Sequence, residues 1–435
     1  MKKHKNIISI IIVTIIVTIG FLSTVRATPK AKIIPKISYV GLGHKLLVGD
    51  TRSRVIGTGG KGVVALRFDD YQVAFGAKIF PLLVERGLPS SMALISRFDT
   101  EGYLWSKGST WKQVKVWNKN GVEIWSHGTN HKNYSKEGYA GLYSQIVTSK
   151  KEIEKQNIKV VGWALPGVRV APGKLPLYNG LTKPSDYNST AGRLLMKTYS
   201  ITEAYAYYGP RILPTNVFHG LNHFTVSDGM SLASAKATVD LAVKNKAGIE
   251  LMCHSGNLDK LGFMTLSDFT ILLDYVKTQW DNDKIEVLTP SGLFYADPNS
   301  NTRLELTTKG SGTWARTANA TKTDITSGAK TGIDFIRVKS LVNNTGVTQK
   351  LNTSDKSRVS GEQFLFEGWV KTTGKGIGSI QLSVINVNRT VKATSTWTRV
   401  RFVFGVPNNV NSMTLSLYGK AGSTLDWNKV SIKKI

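Results

Sequence analysis

The chain changes its hydrophobic rhythm once, near Ala296, and that change limits the folds open to it. From Lys61 to about Ala296, short apolar runs alternate with longer amphipathic stretches. The spacing predicts strands over 63–68, 92–95, 122–125, 159–164, 249–253 and 285–288. Between them it predicts helices over 73–86, 109–118, 141–155, 231–245 and 267–280. Ile79, Leu82 and Leu83 share one face of the first helix, and Gly87 ends it. Strands alternating with helices imply βαβ units and a parallel sheet or barrel. Residues 165–230 carry no regular pattern and receive no assignment. Past the turn-rich Asp297-Pro298-Asn299-Ser300-Asn301, helical spacing disappears. Strands are expected over 304–307, 335–338, 363–370, 379–385, 398–404, 413–418 and 426–432, as a β-sandwich of roughly 130 residues.

The N-terminus bears on compartment. Lys2, Lys3 and Lys5 precede an uncharged, largely apolar run from Ile7 to Leu22, and Val25-Arg26-Ala27 offers small residues at a cleavage site. That layout predicts a secretory signal peptide over 1–27, an uncleaved anchor being the alternative. The expected order is then a lead-in over 28–60, an α/β domain over 61–296, a linker over 297–301 and a sandwich over 302–435. The expected place is outside the cytoplasmic membrane, secreted or attached to a bacterial cell wall, with no membrane span once the signal is cleaved.

The single cysteine, Cys253, excludes an intramolecular disulfide and a cysteine-built zinc cluster. A metal site must therefore use His and carboxylates. The net charge of +28 is diffuse; 20 basic and 7 acidic residues follow position 300. Without an arginine-rich arm, recognition helix or zinc finger, it points to anionic wall polymers rather than nucleic acid.

Three polar clusters stand at predicted strand ends: Arg67-Phe68-Asp69-Asp70-Tyr71, Ser126-His127-Gly128-Thr129-Asn130-His131, and His254. Catalytic groups of parallel α/β folds gather at the C-terminal ends of strands, so all three point to one face. A carboxylate plus two His, here Asp70, His127 and His131, matches a metal site with an open position. An ion there would acidify water and polarise a carbonyl. Asp69 could accept the water's proton, and His254 could protonate a leaving group. Alone, an Asp-Asp pair marks a solvated turn and a lone His a satisfied core residue. Their order and placement carry the joint reading.

Asp69-Asp70 after an apolar strand, His127-x3-His131, and Leu251-Met252-Cys253-His254 resemble the polysaccharide deacetylases, the NodB-homology domains of carbohydrate esterase family four. The resemblance covers about 61–296. It implies a distorted (β/α) barrel, a divalent metal (zinc, or another such as cobalt or manganese), and removal of acetyl groups from an acetylated polysaccharide. By motif, Asp69 resembles the catalytic base, Asp70, His127 and His131 the metal ligands, and His254 the catalytic acid. The backbone N–H of Tyr71 would help hold the oxyanion. The chain departs from the pattern in three places. Tyr71 stands where the family usually has Gly. Ala164 and Leu165 stand where an Arg usually precedes the Pro that is here Pro166, with Arg169 a distant substitute. The Asp that tunes the catalytic His has Asp228 as its candidate. A non-catalytic glycan-binding protein, cell-surface or phage-derived, and an O-acetyl esterase therefore stay open as alternatives.

Sugar faces stack on aromatic rings. Trp105, Trp111, Trp125 and Trp163 lie near the expected active face; Trp125, Trp163 and Pro166 are the candidate substrate contacts. The sandwich resembles jelly-roll carbohydrate-binding modules. Trp369, inside an apolar strand, is expected in its core and Trp314 on its surface.

Overall fold

The computed structural model describes residues 55–435, apart from 101–106, 133–137, 168–180, 182–183, 208, 216, 333, 354–355, 384, 409 and 411. The expected signal peptide, nearly all of the lead-in, Trp105 and Arg169 lie outside the described residues.

Among the described residues the first part holds eleven strands: β1 (Ile56–Gly57), β2 (Gly62–Asp69), β3 (Ser90–Leu94), β4 (Val122–Ser126), β5 (Val160–Ala164), β6 (Thr202–Tyr207), β7 (His219–Leu221), β8 (Phe224–Thr225), β9 (Gly248–Cys253), β10 (Ile285–Leu288) and β11 (Ala296–Asp297). Nine form one sheet in the order β7-β6-β5-β4-β3-β2-β9-β8, with β10 also on β2, and its strand pairs are parallel. All eight residues of β2 are buried, as expected of a parallel strand covered on both faces. Met92, Leu94 and Ile124 join the cluster packed by the helices, while the alternate residues Ala93 and Trp125 join Ala164, Phe218 and Phe294 in a second cluster. The helices Leu232–Asn245 and Leu266–Asp281 start on Ser231 and Thr265, whose hydroxyls accept from Ser234 N and Asp268 N. The unassigned stretch 165–230 supplies β6, β7, β8 and the helix Thr190–Thr198.

Among the described residues the second part has ten strands: β12 (Ala315–Arg316), β13 (Ala320–Ile325), β14 (Phe335–Ser340), β15 (Thr345–Leu351), β16 (Gln363–Thr372), β17 (Ile377–Leu382), β18 (Val387–Lys392), β19 (Thr398–Gly405), β20 (Met413–Gly419) and β21 (Thr424–Lys434). They form two five-stranded sheets, β12-β15-β20-β17-β18 and β13-β14-β21-β16-β19. The expected strand over 304–307 reduces to a bridge between Glu305 and Lys433, and β12, β13, β15 and β18 were not anticipated. Along β16 the side chains divide: Phe364 and Phe366 enter the sandwich core, whereas Leu365 joins the core of the first part. Val403 of β19 joins it as well. The backbone at Gly121 comes so close that a β-carbon there would stand 2.1 Å from a Val403 methyl. Arg401 lies over the Trp280 ring at 4.3 Å and reaches Asp281 at 3.1 Å. The chain between the two parts is not slack: β11 pairs with β1, and Thr302 O accepts from Gly57 N at 2.7 Å.

Candidate functional site

The strand-end clusters converge. Ligand atoms of Asp70, His127 and His131 all lie within 4.8 Å of one another, and the three residues are buried. His127 Nε2 is 3.5 Å from Asp70 Oδ1, and His131 Nε2 is 3.5 Å from Asp70 Oδ2. Asp70 and Tyr71, directly after β2, have φ of 56° and 44°, and His131 has 56°. Three non-glycine residues in the left-handed region at one site mark backbone held against its own preference. Gln145 fixes the turn between the histidines: its Oε1 accepts from Thr129 N at 2.8 Å, and its Nε2 donates to Asn130 Oδ1 at 2.5 Å.

The donor set fits a divalent ion. His127 Nδ1–H donates to the Ala164 carbonyl at 2.9 Å, which turns the Nε2 lone pair toward Asp70. Burial lowers the pKa of His127 and takes that of His131 to about 4. Both rings are therefore neutral ligands near neutral pH. Two imidazoles and one carboxylate suit zinc and its neighbours.

Beside this triad stands Asp69. Burial opposes its charge, but Arg67, then His127, His223 and His254, outweigh it and lower its pKa to about 2. Arg67 Nε donates to Asp69 Oδ1 at 2.9 Å and Nη2 to Oδ2 at 3.0 Å. On the other side, His254 Nδ1 meets Asp228 Oδ2 at 3.1 Å, and Ser227 Oγ donates to Asp228 Oδ1 at 2.7 Å. Burial disfavours a charged His254. The Asp228 hydrogen bond and the carboxylates of Asp69 and Asp70 outweigh burial and raise its pKa. The half-buried Tyr71 ring packs edge-on to His254, with centroids 6.2 Å apart. It crosses Gly256 so closely that a β-carbon there would stand 1.9 Å from Tyr71 Cδ1.

A second group, Glu203, His223 and Glu250, also brings possible ligand atoms within 4.8 Å. Guanidinium groups already serve it. Arg67 Nη1 lies 2.9 Å from Glu250 and 3.4 Å from Glu203, and Arg211 Nη2 lies 2.7 Å from both glutamates. Arg67 Nη2 donates to His223 Nδ1 at 2.8 Å. This group is an ion-pair lattice in which cationic side chains fill a metal's place. Its members were missed in the sequence. The available signal was Arg67 itself, a charge inside an apolar strand two residues before Asp69.

The expected sugar contacts need correction. Trp125 and Trp163 are fully buried; Trp125 lies against Phe294 and Trp163 against Tyr199. Neither ring presents a face to a substrate. Pro166 is buried beside the Gly128 turn. In the sandwich the expectation reverses: Trp314 is 7% exposed and belongs to the core. Trp369 lines a groove of about 610 Å³ together with Trp314, Glu367, Arg399, Asn428 and Asp283.

The sequence model of the polysaccharide deacetylases matches residues 56–172. That span includes Asp69, Asp70, His127 and His131 and stops before His254. No curated protein sequence matches the chain significantly. Similar solved structures include the Xyl-CE4 domain of a multidomain xylanase from the hindgut metagenome of Trinervitermes trinervoides. It is 14% identical with a TM-score of 0.31, over 54% of this chain and 90% of that one. They also include the CBM22-1 xylan-binding domain of Paenibacillus barcinonensis Xyn10C. It is 12% identical with a TM-score of 0.24, over 30% of this chain and 93% of that one.

Proposed function

We propose that this chain is a secreted, metal-dependent polysaccharide deacetylase that hydrolyses N-acetyl groups of a cell-wall or extracellular glycan. The observation that carries the reading is the convergence of Asp69, Asp70, His127 and His131 within the span matched by the deacetylase family. In this reading Asp70, His127 and His131 hold a divalent ion, zinc by their chemistry. When bound, the ion supplies Lewis acidity to the acyl carbonyl and acidifies water.

The chain's own groups then divide the proton work. Asp69 is ionised and fixed by Arg67, so it accepts a proton from the attacking water. His254, oriented by Asp228, donates its proton to the departing amine. The Tyr71 N–H stabilises the developing oxyanion. An O-acetyl ester needs the same attack and presents a better leaving group, so substrate comparison separates the two reactions.

The sandwich is proposed as the glycan-binding part. The support is the Trp369 groove, where an aromatic ring meets carboxylate, amide and guanidinium groups.

The test is acetate release from acetylated glycans by the protein, before and after chelation and zinc return. Release should be zinc-dependent, and His131→Ala should lower it by more than about a hundredfold, as loss of a central catalytic element does. Release unaffected by chelation or by His131→Ala would contradict the metal reading.

A further inference from the structure

We infer that Arg67, from inside β2, is the positioning residue for Asp69. The inference rests on the proposed deacetylase reading, because it gives Asp69 its task.

The geometry begins with pleat. Residues two apart on a strand share a face, so Arg67 and Asp69 point the same way from β2. Their contact is side-on and doubled, with each carboxylate oxygen taking one donor. A paired contact of this kind fixes the carboxylate's rotation as well as its place. A base that must meet one water proton gains from that restriction.

Arg67 is itself fixed. Ala65 pairs with Glu250 across β2 and β9, so Glu250 stands on the Arg67 face and takes Nη1. Glu203 comes from β6, five places from β9 in the sheet order. Only a curled sheet brings those strands to one guanidinium. Arg211 spans the same two glutamates, and its backbone is tied to Gly248 at 2.7 and 2.8 Å. His223 accepts the remaining contact at 2.8 Å. The lattice thus transmits the curvature of the whole sheet to the orientation of one carboxylate. Arg67 bonds to the Asp69 carboxylate and acts through it.

A double-mutant cycle on the full chain tests this. Arg67→Met should lower kcat about 10- to 100-fold, as loss of a supporting contact does, with KM within about twofold. In an Asp69→Asn background the same change should lower kcat no further, because its target is gone. Zinc affinity should stay within about threefold in Arg67→Met. Should Arg67→Met fail to fold, Arg67→Lys serves: it keeps the charge beside Glu250 and loses the paired geometry, so it should repeat the pattern. Independent, multiplying losses in the cycle, a rise in KM at constant kcat, or zinc binding loosened in step with kcat would overturn the inference. If the unaltered protein releases no acetate from any glycan, the deacetylase reading fails instead. A crystal structure of the Arg67 variant then decides the inference: a displaced Asp69 carboxylate supports it, and an unmoved one overturns it.

Discussion

At the residue scale, the site shifts the proton affinities of neighbouring groups in opposite directions. Asp69 is held ionised by Arg67, and the Asp228 hydrogen bond, with Asp69 and Asp70, raises the pKa of His254 against its own burial. A group whose pKa is raised keeps its proton up to that higher pKa, so His254 in its proposed role as acid works below it and fails as pH rises through it. Asp228→Asn removes the bonded carboxylate, while Asp69 and Asp70 still favour the charged ring. The basic limb of the kcat profile should therefore move to lower pH, with the acid limb unchanged; an unmoved basic limb would remove His254 as the acid. The placement of these groups was legible in the sequence, because Asp69 closes an apolar strand and Asp70, His127 and His254 directly follow one. Asp228 could be named as a candidate but not placed. The task of Arg67 was hidden, since its partners Glu203 and Glu250 stand 136 and 183 positions away along the chain.

At the element scale, the errors share a cause. A parallel strand covered on both faces buries every side chain, including aromatic residues next to its active end. Trp125 therefore packs on Phe294 although it precedes the His127 turn by two residues. Trp125→Ala should cost about 3–5 kcal/mol of stability, read as a fall in Tm. Trp369 was hidden for the opposite reason. Phe364, Phe366 and Val370 fill the sandwich core, so strand alternation puts Trp369 on the opposite face with Leu365 and Glu367, beneath Lys330, 4.9 Å from its ring. Trp369→Ala should weaken glycan retention about fivefold to tenfold, the loss of one aromatic contact, with Tm nearly unchanged. Unaltered retention would remove the groove from the account. The strands β7 and β8 were invisible because three and two residues carry no period.

At the scale of the whole molecule, the sandwich and the α/β part share a core through Leu365 and Val403. They are also joined by ions. Glu362 of the sandwich side pairs with Lys159 and with Lys434 at 3.0 Å. Burial works against its charge, but the two lysines win and lower its pKa to about 2. A depressed carboxylate stabilises fully above its unfolded value and loses that contribution as pH falls toward its folded one. The stability gap between the unaltered protein and Glu362→Gln should therefore be widest above about pH 5 and close as pH falls toward about 2. A gap independent of pH would show that the pair contributes nothing. The two-part plan was visible in the change of hydrophobic period, whereas the joint was not. Its contacts are made by single side chains such as Val403 against Gly121, and no period marks them.

The central claim is that Asp70, His127 and His131 hold the metal on which the chemistry depends. Anomalous diffraction at the zinc edge from crystals of the zinc-loaded protein tests it most directly. The account predicts one strong peak bounded by those three side chains and none among Glu203, His223 and Glu250, where Arg67 and Arg211 already stand. A peak in the second group, or zinc bound elsewhere with the triad empty, would contradict it.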